Sequence, residues 1–274
     1  MITMGSAILV GQRSRWLEAI YLGIIGFCGW SCVDAVNNIF DVELDKESDP
    51  LRSEITESLG SRGLVVVAFF ALASVSLGLA TKMPFVTFFI LLGLLFGLIY
   101  SVPPLRLRQT IYKPLVNNAV GAIPVLIASA FYNAFTVEAY VLALLVGLTT
   151  ATNSLWEDLA DYSSDLKSKA RTILVVLGFR RGIHYTILLG YCLIPLMVLV
   201  GLMFKLGAIY YIILAALATF ESVHILQNRR ILFGADEKAM IRLGSLLARD
   251  FVVIAVVQTT NMMLSSYLKY VLFA

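Results

Sequence analysis

Eight long apolar stretches divide the chain and limit what it can fold into. They cover residues 16–38, 63–81, 84–100, 115–132, 137–158, 183–204, 207–227 and 246–268. A helix needs about 20 mainly apolar residues to cross the hydrocarbon core of a bilayer, and each stretch is close to that length. None shows the strict alternation that a lipid-facing barrel strand requires. The sequence therefore predicts an all-α, multi-pass bundle of transmembrane helices.

A further apolar segment opens the chain but is only about half as long as a span. Residues 1–11 lack the basic flank of a signal peptide. We interpret them as the later part of a first helix whose start is missing or lies in another segment. About nine helices around a central cavity are therefore expected, with eight as the alternative. Residues 1–274 are expected to form a single transmembrane domain with two halves, about 1–132 and 133–274.

The composition supports the membrane interpretation and excludes several other classes of protein. Hydrophobic residues make up 59% of the chain, charged residues make up 14%, and the mean hydropathy is +0.86. Soluble domains contain roughly 45–50% apolar and about 25% charged residues, so this chain has too few charges to coat a water-facing surface. A secreted disulfide scaffold, a disordered chain and a nucleic-acid binder are poor fits. The net charge of +3 is too small to indicate a polyanionic partner.

The distribution of lysine and arginine predicts which side of the membrane each loop faces. If all eight spans cross, four loops share one side and contain fifteen of the 21 basic residues; these loops are 41–62, 101–114, 160–182 and 228–245. Because cytoplasmic loops carry the excess of basic residues, we place these loops in the cytoplasm and the protein in the cell membrane.

Two acidic clusters stand at the cytoplasmic ends of the second and sixth predicted helices. Residues 37–45 read NNIFDVELD, and residues 157–165 read EDLADYSSD. The clusters are in phase, since the same offset of 120 residues separates Asp41 from Asp161 and Asn38 from Asp158. Four helices return the chain to the same side between them, so the two clusters can face each other across a shared cavity.

Within each cluster, the spacing of three or four residues places the oxygen-bearing side chains on one helical face. These residues are Asn37, Asp41 and Asp45 in the first cluster and Asp158, Asp161 and Asp165 in the second. Carboxylates packed this closely at a membrane boundary cost several kcal/mol unless cations neutralise them. Oxygen ligands without histidine or cysteine select Mg²⁺, which typically shares its shell with substrate phosphates. We therefore predict a metal-bridged diphosphate; the alternative is that these acids only begin solvated loops.

Basic residues follow both clusters and the fourth predicted helix. Residues 100–108 read YSVPPLRLR, and their prolines predict an extended, non-helical turn from which Arg106 and Arg108 project on one side. Three more bases follow the clusters directly: Arg52, Lys167 and Arg171. Bases opposite the metal would neutralise the far side of a diphosphate. For any one of them, ordinary positive-inside topology is an equally good explanation.

Several polar residues inside the spans remain after these assignments. Asp34 lies one turn before the first cluster and either acts as a catalytic base or hydrogen-bonds within the bundle. Asn118 and Asn153 either line the substrate cavity or form hydrogen bonds between helices. Glu221 and His224 are spaced as in di-iron bundles, but no partner motif exists, so we interpret them as a structural pair.

Together, the three motifs resemble the UbiA superfamily of intramembrane prenyltransferases. Members carry N-D-x-x-D-x-x-x-D after helix two, Y-x-x-P-P-x-(R/K)-x-(R/K) after helix four, and D-x-x-D-x-x-x-D followed by a basic residue and a threonine. The matching segments are residues 37–45, 100–108 and 158–172. Asn38 departs from the pattern because it replaces the usual aspartate, which removes one charge from the first motif.

The resemblance implies transfer of a polyprenyl group from its diphosphate to an acceptor. Two Mg²⁺ ions are the implied cofactors, and Asp41 and Asp161 are the implied catalytic residues. Tyr100 is expected to join the arginines in binding diphosphate, and Asn38 is expected to line the substrate cavity. The bilayer would receive the isoprenoid tail. Neither nucleic acid nor an obligatory protein partner is expected.

The residues leave the acceptor open. We favour geranylgeranyl transfer to geranylgeranylglyceryl phosphate in archaeal ether-lipid synthesis, with an aromatic acceptor such as 4-hydroxybenzoate as the alternative. A cation-coupled transporter is the alternative from another class, because paired acidic clusters also bind cations. Transporters, however, place their sites near the midplane at broken helices, whereas these acids stand at helix ends beside basic loops.

Overall fold

The computed structural model describes residues 2–11, 16–234 and 236–269, and it leaves out the side chains of residues 44, 45, 47 and 48. Within these residues the regular secondary structure is entirely helical, which confirms the all-α prediction. Seven of the helices are long and apolar enough to cross a membrane.

The helices follow one another with short connections. They are α1 (Ile2–Gly11), α2 (Trp16–Ser48), α3 (Pro50–Leu59), α4 (Arg62–Ala80), α5 (Pro84–Ser101), α6 (Lys113–Tyr132), α7 (Val137–Lys167), α8 (Ile173–Leu177), α9 (Phe179–Met203), α10 (Ala208–Gln227), α11 (Arg229–Leu232) and α12 (Glu237–Tyr267), with a 3₁₀ helix at Leu107–Gln109.

Seven of the predicted spans coincide with the seven membrane-length helices α2, α4, α5, α6, α7, α9 and α10. The eighth predicted span forms most of α12, which begins at Glu237 rather than near residue 246. The opening segment forms α1, a helix of only ten residues. The expected number of about nine agrees approximately with the seven membrane-length helices together with α12 and the short α1. The single-domain assignment stays a prediction.

α2 and α7 are longer than the spans predicted for them, and this carries both acidic clusters on helices. α2 continues to Ser48, where Asp49 caps the next helix by accepting a hydrogen bond from the Arg52 amide. Proline opens α3, because its missing N–H is one that the first turn leaves unpaired anyway. α7 continues to Lys167 in one run of 31 residues. The clusters are thus held by the same helices that cross the bundle.

α7 is the central helix of the bundle. Its residues Leu142, Leu145 and Val146 belong to an apolar core shared with α1, α2, α6 and α10. Its residues Leu155 and Leu159 belong to a second core shared with α8, α9 and α12. In the most apolar window of α7, 61% of the residues are buried, a larger share than in any of the other six membrane-length helices. Charged groups on the C-terminal half of α7 are therefore costly unless they are paired.

Two glycines bring α6 and α7 close together. A Cβ at Gly147 of α7 would lie 2.7 Å from the Asn118 carbonyl oxygen of α6, and one at Gly121 would lie 2.3 Å from Thr150 Oγ1. Small residues at helix contacts allow this close approach in membranes. The antiparallel pair therefore places the start of α6 beside the acidic end of α7.

Because the neighbour of Gly147 is backbone, it cannot move aside when a side chain is added. We expect Gly147→Ala to lower the free energy of unfolding by roughly 1–3 kcal/mol. The matched control is Gly207→Ala, where an added Cβ meets nothing within 4 Å. Apparent melting temperatures in detergent measure both changes. Equal melting temperatures for the two variants would contradict the close packing of α6 against α7.

Candidate active site

The first acidic cluster is held by the loop that follows α5. Asp41 is 0% exposed, and its Oδ1 accepts a hydrogen bond from Arg106 Nη2 at 2.9 Å. Arg106 also donates to the Phe40 carbonyl oxygen at 2.8 Å. Arg108 forms an ion pair with Asp41 Oδ2 and donates to Asn37 Oδ1 at 3.2 Å. Two arginines therefore neutralise one buried aspartate.

The loop reaches Asp41 through a backbone shape that differs in part from the prediction. A 3₁₀ helix at Leu107–Gln109 replaces the predicted extended turn over those residues, and Arg106 adopts a left-handed φ of 37° just before it. The loop begins at Ser101, whose hydroxyl donates to Asn37 Oδ1 at 3.1 Å. The tight turn directs both arginines to the same carboxylate, which agrees with the prediction that they project on one side.

The second acidic cluster is neutralised by a lysine on α6. Asp158 is 1% exposed and forms an ion pair through its Oδ1 with the ammonium of Lys113, which is itself 6% exposed. The Lys113 Nζ also lies 4.0 Å from Glu157 Oε2. Further along α7, Asp161 is exposed, and Asp165 Oδ2 accepts a hydrogen bond from Thr172 Oγ1 at 3.2 Å.

Arg108 lies between the two clusters. It contacts Asp41 and Asn37 of α2, and the carboxylates of α7 act on it electrostatically. Burial lowers the pKa of the Arg108 guanidinium, and the charges of Asp165 and Asp161 oppose that shift. One guanidinium group thus contacts the first motif and interacts electrostatically with the second.

Lys113 is a site residue that the sequence pattern does not reveal. It lies in the basic loop 101–114, where ordinary positive-inside topology is sufficient to explain a lysine. The sequence gives one indication of its role, since Lys113 lies in the first turn of a span, immediately before Pro114. A lysine there can turn back into the bundle, and in this fold it reaches a carboxylate.

The remaining predicted diphosphate ligands have these positions. Tyr100 is half-buried, and its phenol hydrogen-bonds with Asn117 near Lys113. Arg52 Nη2 lies 3.8 Å from Asp34 Oδ1, so these two predicted site residues pair with each other. Arg171 is exposed, and its amide donates to the Gln109 carbonyl oxygen at 2.8 Å, which ties the loop after α7 to the loop after α5. Lys167 is exposed at the end of α7.

The three predicted cavity asparagines differ in their surroundings. Asn153 Nδ2 donates to Glu157 Oε1 at 2.6 Å. Asn118 packs against Gly147 at the contact of α6 with α7. Asn38 Oδ1 is buried without a hydrogen-bond partner among the described residues. The side chain of Asp45, a predicted metal ligand, lies outside the described residues.

The donor atoms of the site fit a hard cation. Asp158 Oδ2 and Asn38 Oδ1 are both buried oxygens without a hydrogen-bond partner in the described part of the chain. Such atoms are costly when they remain unpaired, and oxygen is the ligand that Mg²⁺ prefers. Among the described residues, no three or more acidic, histidine or cysteine side chains already converge as a metal cluster. The arginines and Lys113 occupy the carboxylates instead.

Comparison with known proteins agrees with this geometry. Residues 1–244 match the model of the UbiA prenyltransferase family. The chain belongs to that family.

Two curated relatives of this UbiA-family chain are named for different reactions. It is 28% identical over 191 residues to a probable homogentisate phytyltransferase 2 of Oryza sativa subsp. japonica, covering 60% of this chain and 47% of that protein. It is 26% identical over 172 residues to a digeranylgeranylglyceryl phosphate synthase of Pyrococcus abyssi, covering 61% and 59%. The matches thus span about half the length of these relatives.

Solved structures show the same fold at low sequence identity. A structure concerned with digeranylgeranylglyceryl phosphate synthase superimposes with a TM-score of 0.65 at 15% identity, covering 97% of this chain and 92% of that one. A UbiA homologue from Archaeoglobus fulgidus bound to GPP and Mg²⁺ gives a TM-score of 0.60 at 14% identity, covering 94% and 95%. These neighbours establish the UbiA fold for the chain.

The buried pair of Lys113 and Asp158 generates a prediction about stability. Lys113→Met should lower the free energy of unfolding by about 3–5 kcal/mol, because Asp158 would remain buried without its partner. Lys113→Met/Asp158→Leu should recover most of that loss, since neither charge is then left alone. The control is Lys82→Met, at an exposed lysine. Unfolding titrations in mixed micelles measure the wild type and these three variants, and a double variant no more stable than Lys113→Met would contradict the pairing.

Proposed function

We propose that the protein is an integral-membrane prenyltransferase that moves a geranylgeranyl group from its diphosphate to an acceptor. The observation that carries this proposal is the position of Arg108, which binds Asp41 on α2 and lies in the field of the acidic cluster on α7. A site that brings two acidic clusters and basic side chains together suits a diphosphate with metal ions. The A. fulgidus homologue bound to GPP and Mg²⁺ supports the same chemistry.

Six oxygen-bearing residues would hold two Mg²⁺ ions: Asn37, Asp41 and Asp45 on α2, and Asp158, Asp161 and Asp165 on α7. When bound, the metal stabilises the negative charge that develops on the departing diphosphate. Dependence on Mg²⁺ is part of the proposal. Its physical basis is the all-oxygen donor set and the unpartnered Asp158 Oδ2.

The basic side chains have a second task in this scheme. Arg106 and Arg108 would release Asp41, which could then bind metal. Both arginines would turn to the diphosphate oxygens, which the planar guanidinium group binds well. Lys113 remains paired with Asp158 and neutralises that carboxylate at the C-terminal end of α7. The same cations that stabilise the acidic site without substrate would therefore bind the donor.

In the transfer step, the allylic C–O bond of the donor breaks and its electron pair leaves with the diphosphate. The acceptor forms the new bond to the allylic carbon and loses a proton. Positioned positive groups lower the barrier because charge grows on the leaving oxygen. Asp34 is the proposed base, in a pair with Arg52.

A cleft of about 440 Å³ lies beneath the first cluster and suits the isoprenoid tail. Its lining residues include Gly29 and Val33 of α2, and Val33 stands one helical turn before Asn37. Ile90 of α5 and Ile123 of α6 form part of the opposite wall. An apolar wall at this depth keeps water from an allylic cation.

For the acceptor, we favour geranylgeranylglyceryl phosphate. A digeranylgeranylglyceryl phosphate synthase appears among both the curated relatives and the structural neighbours. An acceptor with its own phosphate also needs further cations, and Lys167, Lys169 and Arg171 follow the second cluster. We place this side of the site in the cytoplasm because its loops are rich in lysine and arginine.

An aromatic acceptor is the second candidate, because the rice relative is named as a homogentisate phytyltransferase. A compound such as 4-hydroxybenzoate would need no additional phosphate site. A cation-coupled transporter has less support, since the acidic clusters lie at helix ends beside bases and the chain belongs to a prenyltransferase family.

The reaction can be tested with purified protein in detergent, radiolabelled geranylgeranyl diphosphate and Mg²⁺. We expect Asp41→Asn and Asp161→Asn each to reduce product formation by roughly 100-fold or more, since each removes a charge that positions the leaving group. Glu54→Gln is the control, because Glu54 is an exposed acid on α3. EDTA should abolish the activity, and excess Mg²⁺ should restore it.

The acceptor is decided in the same assay with a panel of geranylgeranylglyceryl phosphate, 4-hydroxybenzoate and homogentisate. Product from the glyceryl phosphate alone supports our choice, and product from an aromatic compound alone supports the second candidate. Failure of all three acceptors, together with failure to bind the donor, would overturn the proposed reaction.

A further inference from the structure

A second cleft lies on the other side of α7 from the acidic site. It encloses about 570 Å³, part of which is open to the surroundings, and α7, α9, α10 and α12 form its walls. Trp156 of α7 lines it. Because Trp156 and Asp158 are two positions apart, they point to roughly opposite sides of the helix. The cleft is therefore separate from the ion pair of Asp158 with Lys113.

The walls of this cleft are mainly apolar, but three polar groups in it have no hydrogen-bond partner in the described part of the chain: the Trp156 indole N–H, the Glu221 carboxyl group and the Gln258 amide nitrogen. Trp156 is 2% exposed, and its indole N–H donates to nothing in the described part of the chain. Both carboxylate oxygens of Glu221 on α10 are also buried without a partner among those residues. Buried polar groups are normally satisfied, so a donor and an acceptor facing one cleft indicate a missing ligand group.

The groups around these two residues are already engaged with one another. His224 Nδ1 forms a close contact with Asp250 Oδ2, and both lie within electrostatic reach of Glu221. Tyr191 shares a hydrogen bond of 2.9 Å with Ser222 Oγ. Glu221 therefore remains available to the cleft while its neighbours are paired.

The indole is fixed in position. Its ring stacks on Phe251 with a centroid distance of 5.4 Å and an interplanar angle of 23°. Gly190 has no side chain beside the ring, where an added Cβ would be in van der Waals contact with Trp156 Cζ2 at 3.7 Å and with the indole nitrogen at 3.9 Å. A ligand group can therefore approach the N–H from the cleft.

We propose that this cleft binds an apolar molecule that carries a neutral hydroxyl group. A hydroxyl can donate to Glu221 and accept from the Trp156 N–H, whereas an ammonium group has no lone pair to accept with. A carboxylate would accept from the indole but would be repelled by Glu221. The surrounding apolar walls suit a long hydrocarbon body taken from the bilayer. This inference goes beyond the proposed transfer reaction and does not rest on it.

Tryptophan fluorescence tests the proposal directly. The chain has three tryptophans, so the Trp16→Phe/Trp30→Phe background leaves Trp156 as the sole reporter. The protein is reconstituted in phosphatidylcholine vesicles that contain dibromostearyl alcohol or its methyl ether, which quench by contact. We expect the alcohol to quench Trp156 at roughly one-tenth of the mole fraction that the ether requires, since only the alcohol donates to Glu221.

Three variants in this background separate binding from non-specific quenching. Glu221→Gln should reduce the preference for the alcohol by about tenfold or abolish it, because an amide NH₂ replaces one of the acceptor oxygens. Ala218→Phe should fill the cleft and raise the mole fraction needed for both probes. Glu237→Gln, at an exposed acid outside the cleft, should change neither result.

The apparent melting temperature provides an independent readout, because a ligand that binds only the folded protein raises it. The alcohol should raise the melting temperature of the background protein more than the ether does. Equal quenching by alcohol and ether in all variants would overturn the proposal. A stronger effect of dibromostearylamine than of the alcohol would also overturn it, in favour of a cation site.

Discussion

The structure depends on the neutralisation of two aspartates that are buried where the helices meet the basic loops. Asp41 and Asp158 are almost completely buried, and an unpaired carboxylate at such a position would strongly destabilise the bundle. Each has its own cation, from the loop after α5 for Asp41 and from the start of α6 for Asp158. Arg108 adds the connection between them, since it also lies in the field of the α7 acids.

Helix packing makes these ion pairs possible. Lys113 reaches Asp158 because α6 and α7 approach closely at Gly121 and Gly147. The 3₁₀ turn after α5 brings Arg106 and Arg108 to one carboxylate. In the proposed reaction, this arrangement keeps the acidic residues in place before substrate arrives and supplies cations for the diphosphate afterwards. Stability and donor binding then use the same side chains.

The sequence predicted the helical bundle well because each span needs only sufficient length and apolarity, which hydropathy measures directly. The relative position of the two acidic clusters could also be predicted. The offset of 120 residues between them is fixed by the sequence and does not depend on how the helices pack. Both predicted arginines, Arg106 and Arg108, contact the first cluster. The roles assigned to individual site residues stay predictions.

Other features could not be predicted because they depend on which side chains meet across helices. Lys113 was indistinguishable from a topological lysine until α6 was packed against α7. The ends of α2 and α7 were also placed too early, since hydropathy marks where a helix leaves the apolar layer and not where its hydrogen bonds stop. The 3₁₀ turn at Leu107–Gln109 contains Arg108, whose contacts with α2 are not encoded in local propensity.

The most direct test is an experimental structure of the protein with Mg²⁺ and an unreactive thiodiphosphate analogue of the prenyl donor. The account predicts that the diphosphate lies between α2 and α7, with metal contacts to Asp41 and Asp161 and with Arg108 turned from Asp41 to a phosphate oxygen. A diphosphate bound elsewhere, with the ion pair of Arg108 and Asp41 unchanged, would contradict it.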